Sequence, residues 1–423
     1  MKPTVRILGT HGVPAAYGGF ETAAEQIGLF LVDRGWRVVV YCQTEGRGEP
    51  TYDTWRGIER VSIPQHREGW RGTSAFDLTS IRHAVRADRG DVCLTFGYNT
   101  GVFNILQRVK GIPNLVNMDG MEWTRARWGP AKQALLLANE RLASLFANHL
   151  VADHPQIARY LRRWTRSNRV TTITYGAHAL TDAPVEPLRA LGLEPGQFVS
   201  VICRPIRENS LVEIVEAFSR RRRGVRLVVL GNFTPDTDEY HREVMAAASP
   251  EVLFPGAIYD PAVVSSLRYH SRAYLHGHTV GGTNPSLVEA LAAGNPVIAH
   301  DNVYNRWVAT DRQRYFTGVD DLAAVLDDLL DDSVALTEMS TNARRRHAEE
   351  FTWEHVAGQY EDALLALLSR RRRATGEAAP HSEPRQPVHA SQAADDFEAA
   401  KTMDASSNAV TGSTARTTSE GMA

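Results

Sequence analysis

This sequence predicts an α/β protein made of two Rossmann-like, doubly wound halves. Three observations predict it. Short apolar strands alternate with amphipathic helices, the pattern of a parallel sheet covered on both faces. Residues 180–197, with Pro184, Pro187, Gly192, Pro195 and Gly196, read as a linker, and the alternation restarts after them. The second half carries GGTNPSLVEALAAGNPVIAHDN at 281–302, a glycine turn feeding a helix and then a buried strand.

In the first half, strands are expected at 5–8, 38–42, 92–96, 114–118, 149–152 and 170–174. Helices are expected at 21–32, where Ala24, Ile27, Phe30 and Leu31 share a face, and at 76–86, 102–110, 131–147 and 156–163. The second half predicts strands at 198–203, 226–230, 252–254, 273–276 and 296–299, with helices between. An amphipathic helix at 353–368 closes the periodic region. The expected domains are 1–182 and 183–352, then a C-terminal helix within 353–372. From 373 to 423 Ser, Thr, Ala, Glu and Pro dominate without periodicity, which predicts a disordered tail. Arginine runs at 220–223 and 370–373 fall at helix ends, where cations favour the dipole. The second run could also touch an anionic lipid surface.

A chain of 423 residues with 43% hydrophobic content supports two or three cores. A net charge of −2 argues against a nucleic-acid partner. Cys42, Cys93 and Cys203 each sit in an apolar strand-like run and read as buried thiols. No Cys/His pair has metal-ligand spacing, so no metal is expected. The N-terminus MKPTVRILG enters a strand without a secretory apolar region, and no uncharged run reaches the roughly 18 residues of a membrane span. The expectation is a cytoplasmic protein, free or peripheral at the inner face of the plasma membrane.

In open α/β sheets ligands bind beyond the carboxyl ends of the strands, and four candidates lie there. The first is the loop after the first strand, with Gly18 and Gly19 ahead of a helix. It is not G-x-G-x-x-G, and a flexible loop is an equal reading. The second is Asp119-Gly120-Met121-Glu122-Trp123. Asp119 could orient a sugar hydroxyl or move a proton, but from these residues alone capping of the segment that follows is the favoured reading. The third is Arg204 with Arg207 and Asn209, a guanidinium suited to a pyrophosphate. The fourth is the turn of Gly282 and Thr283 into the helix. Asn284 is a good N-cap, Pro285 suits the first helical position, and Gly294 can stop the helix. Free backbone N–H groups and the dipole make this start a phosphate site, and Glu289 could accept from ribose hydroxyls. His276 and His278 precede it and read as structural. Asp236-Thr237-Asp238 reads as capping, not as a metal site.

With these segments laid out, the chain resembles the family 4 retaining glycosyltransferases of the two-Rossmann-domain (GT-B) type, and among them the bacterial rhamnosyltransferase-like group. The resemblance rests on GTHGVPAAYGGFET at 9–22, NMDGMEWTRARW at 117–128, CRPIREN at 203–209, the 281–302 segment and FTWEHVAGQYEDALL at 351–365. It implies a central cleft with the donor on the second domain, the acceptor on the first, and the closing helix crossing back to the first. It implies catalytic roles for Asp119, Arg204 and Glu289. Donor contacts would come from Gly18, Gly19, Arg204, Arg207, Asn209, Gly282, Thr283, Asn284, Pro285, Ser286, Leu287 and Glu289. Tyr17, Glu122 and Trp123 would meet the acceptor.

Two positions depart from the family pattern. Gly281 stands where the first of two paired glutamates is usual, and Asn209 where a basic residue is usual. Both look usual for the rhamnosyltransferase-like group and imply an altered donor pocket. The implied activity is a hexosyltransferase moving L-rhamnose from dTDP-rhamnose, with retention, to a growing lipid-linked cell-surface polysaccharide. The partners are a nucleotide sugar and a glycan or glycolipid, with no cofactor and no metal. Trp123, Arg125, Arg127, Trp128 and Lys132 interleave aromatics with cations and could meet a membrane, or form a partly buried acceptor loop. A non-catalytic nucleotide-sugar-binding scaffold and an epimerase or phosphorylase of the same fold are the alternatives.

Overall fold

The computed structural model describes residues 2–16, 18–67, 69–86, 91–125 and 128–375. Tyr17, Arg127 and the tail from 376 onward lie outside the described residues.

The first sheet contains β1 (Thr4–Leu8), β2 (Arg37–Glu45), β3 (Thr51–Trp55), β4 (Ile58–Gln65), β5 (Val92–Phe96), β6 (Asn114–Asn117), β7 (His149–Ala152) and β8 (Val170–Thr172). Their order is β3-β4-β2-β1-β5-β6-β7-β8, parallel except for the β3–β4 hairpin. Around them lie α1 (Gly19–Asp33), α2 (Gly69–Ala84), α3 (Asn104–Lys110), α4 (Pro130–Phe146) and α5 (Pro155–Leu161). β1 and β5 are buried at every position, as strands covered on both faces must be.

After the linker, which holds a short α6 (Glu186–Ala190), the second sheet begins. It contains β9 (Phe198–Ile202), β10 (Arg226–Leu230), β11 (Val252–Gly256), β12 (Tyr274–His276), β13 (Val297–His300) and β14 (Arg314–Phe316). The order is β11-β10-β9-β12-β13-β14, and every pairing is parallel. Its helices are α7 (Leu211–Ser219), α8 (Glu239–Ala246), α9 (Pro261–Tyr269), α10 (Pro285–Ala292), α11 (Val303–Ala309), α12 (Val319–Leu329) and α13 (Ser333–Glu350).

α14 (Trp353–Thr375) returns to the first domain, running three residues beyond its expected end at 372. Trp353, Val356, Tyr360, Leu364, Leu367 and Leu368 pack into the core of β1, β2, β5 and α1. Trp36 donates to Glu361 (3.0 Å) and Asn117 to the Tyr360 hydroxyl (2.7 Å). The outgoing and returning strands of chain touch at one place, where the Ala177 N–H donates to the Phe351 carbonyl (2.7 Å).

In both sheets the strand order reverses once, between β1 and β5 and between β9 and β12. Such switch points open a crevice at the carboxyl ends of the strands. The loops after β1, β5, β9 and β12 therefore meet at one place.

Candidate donor and acceptor cleft

Arg204 follows β9 and is exposed. Among the described residues its guanidinium enters no ion pair, and it lines a cavity of about 350 Å³. The turn Arg207–Asn209 comes next. Asn209 is buried, and its amide donates to the Arg204 carbonyl (2.7 Å) while its oxygen faces His278 Nδ1 (2.8 Å). Since the amide nitrogen is already directed at a carbonyl, the oxygen must accept, which assigns the imidazole proton to Nδ1 and leaves Nε2 bare. Burial, then Arg125 and Arg204, push the His278 imidazole down to about 4, so it is neutral at pH 7. Arg207 points elsewhere: it pairs with Glu243 (3.1 Å) and covers the Tyr240 ring (4.7 Å).

The turn after β12 brings Gly281 to Pro285 to the cavity wall. The Asn284 side chain accepts from the Ser286 N–H (3.0 Å), with Pro285 opening α10. Gly294 follows α10 at φ +74°, the left-handed stop its position predicts. Ser286 Oγ is held by the Ile202 carbonyl (2.8 Å) and the Tyr274 hydroxyl (2.6 Å), and Leu287 is fully buried. These two anchor the helix; neither lines the cavity. Glu289 pairs with Arg268 beside the cavity, not in its wall.

On the first domain, Gly18 caps α1 with extended backbone, and Gly19 begins it. The loop before it is tied to α1. Glu21 accepts from the His11 N–H (2.7 Å) and Glu25 from the Ala15 N–H (2.7 Å). A Cβ at Gly19 would come within 3.3 Å of Pro285, so a small residue is what lets the two helix starts approach.

Asp119 lines the cavity at φ +53°, a strained conformation for a residue with a side chain. Its N–H donates to Asn117 (2.9 Å), and the turn that follows has Met121, not Asp119, at its N-cap. Glu122 is buried and lines the cavity, accepting from Trp128 (2.9 Å) and pairing with Arg125 (2.5 Å). Trp123 does not line it; its indole donates to Glu140 (2.9 Å). Arg125 also reaches Glu208 of the second domain (2.8 Å), so it is a link between domains more than an interfacial cation.

Asp153, after β7, is the wall residue that the strand-end reading passed over. Its Oδ2 accepts from the Thr283 N–H (3.0 Å), and its carbonyl accepts from the Thr283 hydroxyl (2.5 Å). Oδ1 is buried without a partner. Burial, and then the charge of Asp119, raise this carboxyl to about 7. Its signal in the sequence was position alone: VADH places it directly after a predicted strand.

A second opening of about 620 Å³ adjoins the first, sharing Gly19, Phe20, Phe96, Asn99 and Arg204. It runs over the loops after β1 and β5 to Asp77, which burial raises to about 6 and which accepts from Thr100 (2.8 Å). Two adjoining chambers, one walled by both domains and one by the first domain, thus share Arg204. Asp238 caps α8, accepting from the Tyr240 N–H (2.9 Å), as the capping reading of this stretch predicts. Cys42 and Cys93 are buried, and Cys203 is partly exposed. Among the described residues no group of three or more His, Cys, Asp or Glu is placed to hold a metal ion, and no helix is long and apolar enough to cross a membrane.

Two sheets with a shared cleft and a returning helix define the GT-B class. The structure is similar to sucrose-phosphate synthase from Thermosynechococcus elongatus (TM-score 0.74, 19% identity, 87% of this chain and 100% of that one). It is also similar to Anabaena HepE in complex with UDP and glucose (TM-score 0.68, 14% identity, 86% and 100%). At these identities the likeness is one of fold.

In sequence, residues 2–178 match a domain of unknown function (DUF1972), and residues 207–362 match the glycosyl transferase-like family. A stretch of 91 residues is 40% identical to the MMP alpha-(1->4)-mannosyltransferase of Mycolicibacterium hassiacum, covering 19% of this chain and 22% of that protein. The chain thus matches about a fifth of the length of that curated relative. It is a GT-B-type protein whose second domain is glycosyl transferase-like in sequence.

Proposed function

We propose that the protein is a retaining hexosyltransferase that moves L-rhamnose from dTDP-rhamnose to a lipid-linked cell-surface glycan at a membrane face. The observation that carries the transfer reading is Arg204. A guanidinium with no ion pair among the described residues stands where a chamber between the two domains, bordered by the α10 N-terminus, joins a second chamber walled by the first domain. The donor pyrophosphate would lie between Arg204 and the N–H groups around Asn284, where a fixed cation and a dipole stabilise charge without reorganisation. Glu289 lies near enough in sequence to hold the ribose once Arg268 yields. The rhamnose assignment rests on Gly281 and Asn209, which stand where the family resemblance expects a carboxylate and a cation.

The bond from the anomeric carbon to phosphate breaks with its electron pair leaving on the phosphate oxygen. The acceptor hydroxyl adds from the same face, and its proton passes to that oxygen. This preserves configuration without an enzyme nucleophile. Arg204 and the α10 start bear the departing charge, while Asp119 and neutral His278 accept hydroxyls of the sugar.

Product formation should be measured with a panel of nucleotide sugars and a membrane glycolipid extract, beside Arg204→Ala and Glu289→Ala. The expected result is dTDP release from dTDP-rhamnose that requires acceptor. Loss of charge-assisted phosphate contacts, at about 1.5–3 kcal/mol each, lowers turnover roughly 10- to 150-fold in Arg204→Ala. Transfer from a UDP- or GDP-sugar alone would overturn rhamnose and keep the transferase. Donor binding with no turnover on any acceptor would favour a scaffold.

A further inference from the structure

We infer that the pole of the first domain opposite the cleft is a docking surface for an anionic lipid bilayer. Three consecutive helix-to-strand turns build it: α3 into β6, α4 into β7, and α5 into β8. No Asp or Glu occurs in 104–115, 141–152 or 159–173, whereas the same stretches hold Arg108, Lys110, Arg162, Arg163, Arg166 and Arg169. The whole chain is slightly acidic, so this concentration is local.

The cations share one surface. Arg169 donates to carbonyls at the end of α4, and its guanidinium is lowered by burial and then by Arg108 and Arg166. His149, which opens β7, is pushed down to about 4 by burial, then by Arg370 and Arg169, which brings the end of α14 to the same pole. Among the described residues Arg108, Lys110, Arg163 and Arg166 enter no ion pair. Those four like charges, without ion pairs among the described residues, favour an anionic partner.

Apolar side chains stand among them. Val109 is 76% exposed, Leu145 63% and Trp164 59%. Trp164 is held in place by the Arg141 guanidinium 4.1 Å over its ring, beside an open groove that Arg163, Arg166 and Arg169 also line. Exposed aromatics and aliphatics interleaved with arginine suit the headgroup–acyl boundary, which solvates both, better than a soluble polyanion, which offers the apolar groups nothing.

The surface lies at the amino ends of β6, β7 and β8, so docking turns the cleft away from the lipid by at least a strand length, about 15 Å. If the glycosyl-transfer reading holds, the acceptor reaches the cleft as a glycan several sugars long, not as the first sugar on its lipid carrier.

The full chain is sedimented with vesicles of pure phosphatidylcholine and of phosphatidylcholine containing phosphatidylglycerol. Binding to the anionic vesicles alone, weakened by salt, is expected. Neutralising one surface cation lowers the partition coefficient about fivefold, so Arg163→Gln/Arg166→Gln lowers it about 25-fold. Trp164→Ala weakens binding, and Arg222→Gln, an exposed arginine on the other domain, leaves it unchanged. Circular dichroism and melting confirm that the variants fold. Equal binding to neutral vesicles, binding unchanged in the double variant, or capture by a soluble polyanion with no vesicle binding would each overturn the inference. The measurement uses no sugar donor, so its failure is separate from failure of the transferase reading.

Discussion

Asp153 is half-buried as a residue, yet one carboxylate oxygen is wholly buried and unpartnered while the other meets Thr283 across the cleft. The carboxyl is raised from 3.8 to about 7, so between those values the native state keeps a proton that the unfolded chain releases. Stability from this group is therefore complete below about pH 4 and declines as pH rises towards 7. Asp153→Asn removes the titration and keeps the shape. Relative to the native protein, its melting temperature should gain with rising pH across this window, by the equivalent of at most about 4 kcal/mol. Parallel melting curves from pH 4 to 7 would refute the assignment. Arg204 and Asp119 were legible because each directly follows a predicted strand. His278 lines the cavity, and its orientation depends on Asn209, sixty-nine positions earlier; no sequence pattern marks that contact.

At the scale of elements, α10 and α14 were the most legible: in α10 a cap, a Pro at the first position and a Gly stop agree, and α14 carries a 3.6-residue apolar stripe. α14 has the larger energetic part. Leu364 is fully buried in the first domain's core, so Leu364→Ala should cost about 2–5 kcal/mol, read as a lower urea midpoint. An unchanged midpoint would mean the helix is not integral to that core. The β3–β4 hairpin escaped notice because β3 is mostly exposed and polar, so no apolar period marks it. Its turn, Arg56-Gly57, has both residues at positive φ, the geometry that suits a tight hairpin, but arginine in the first place hides the usual Asn-Gly or Asp-Gly signal. α6 was hidden by Pro187, which a helix tolerates in its first turn.

Across the whole molecule, the two domains are joined over the cleft by Arg125, which is 13% exposed and contacts Glu122 on its own side and Glu208 on the other. Arg125→Ala leaves two poorly solvated carboxylates facing each other and should cost roughly 3 kcal/mol. It should lower the melting temperature and enlarge the radius of gyration in small-angle scattering. Glu208→Gln should reproduce the enlargement with a smaller loss of stability. A radius unchanged in both would show that the ion pair does not hold the domains together. The sequence by itself determined the two doubly wound halves, the linker and the capped helix at Asn284, because periodicity, caps and turn residues are local and every peptide within reach obeys them. Only the tertiary structure decided which strand-end residues share a wall. It put Asp153 against Thr283, drew Arg207 aside to Glu243 and turned Trp123 into Glu140, because those choices depend on long-range packing and on the charge each buried group must meet.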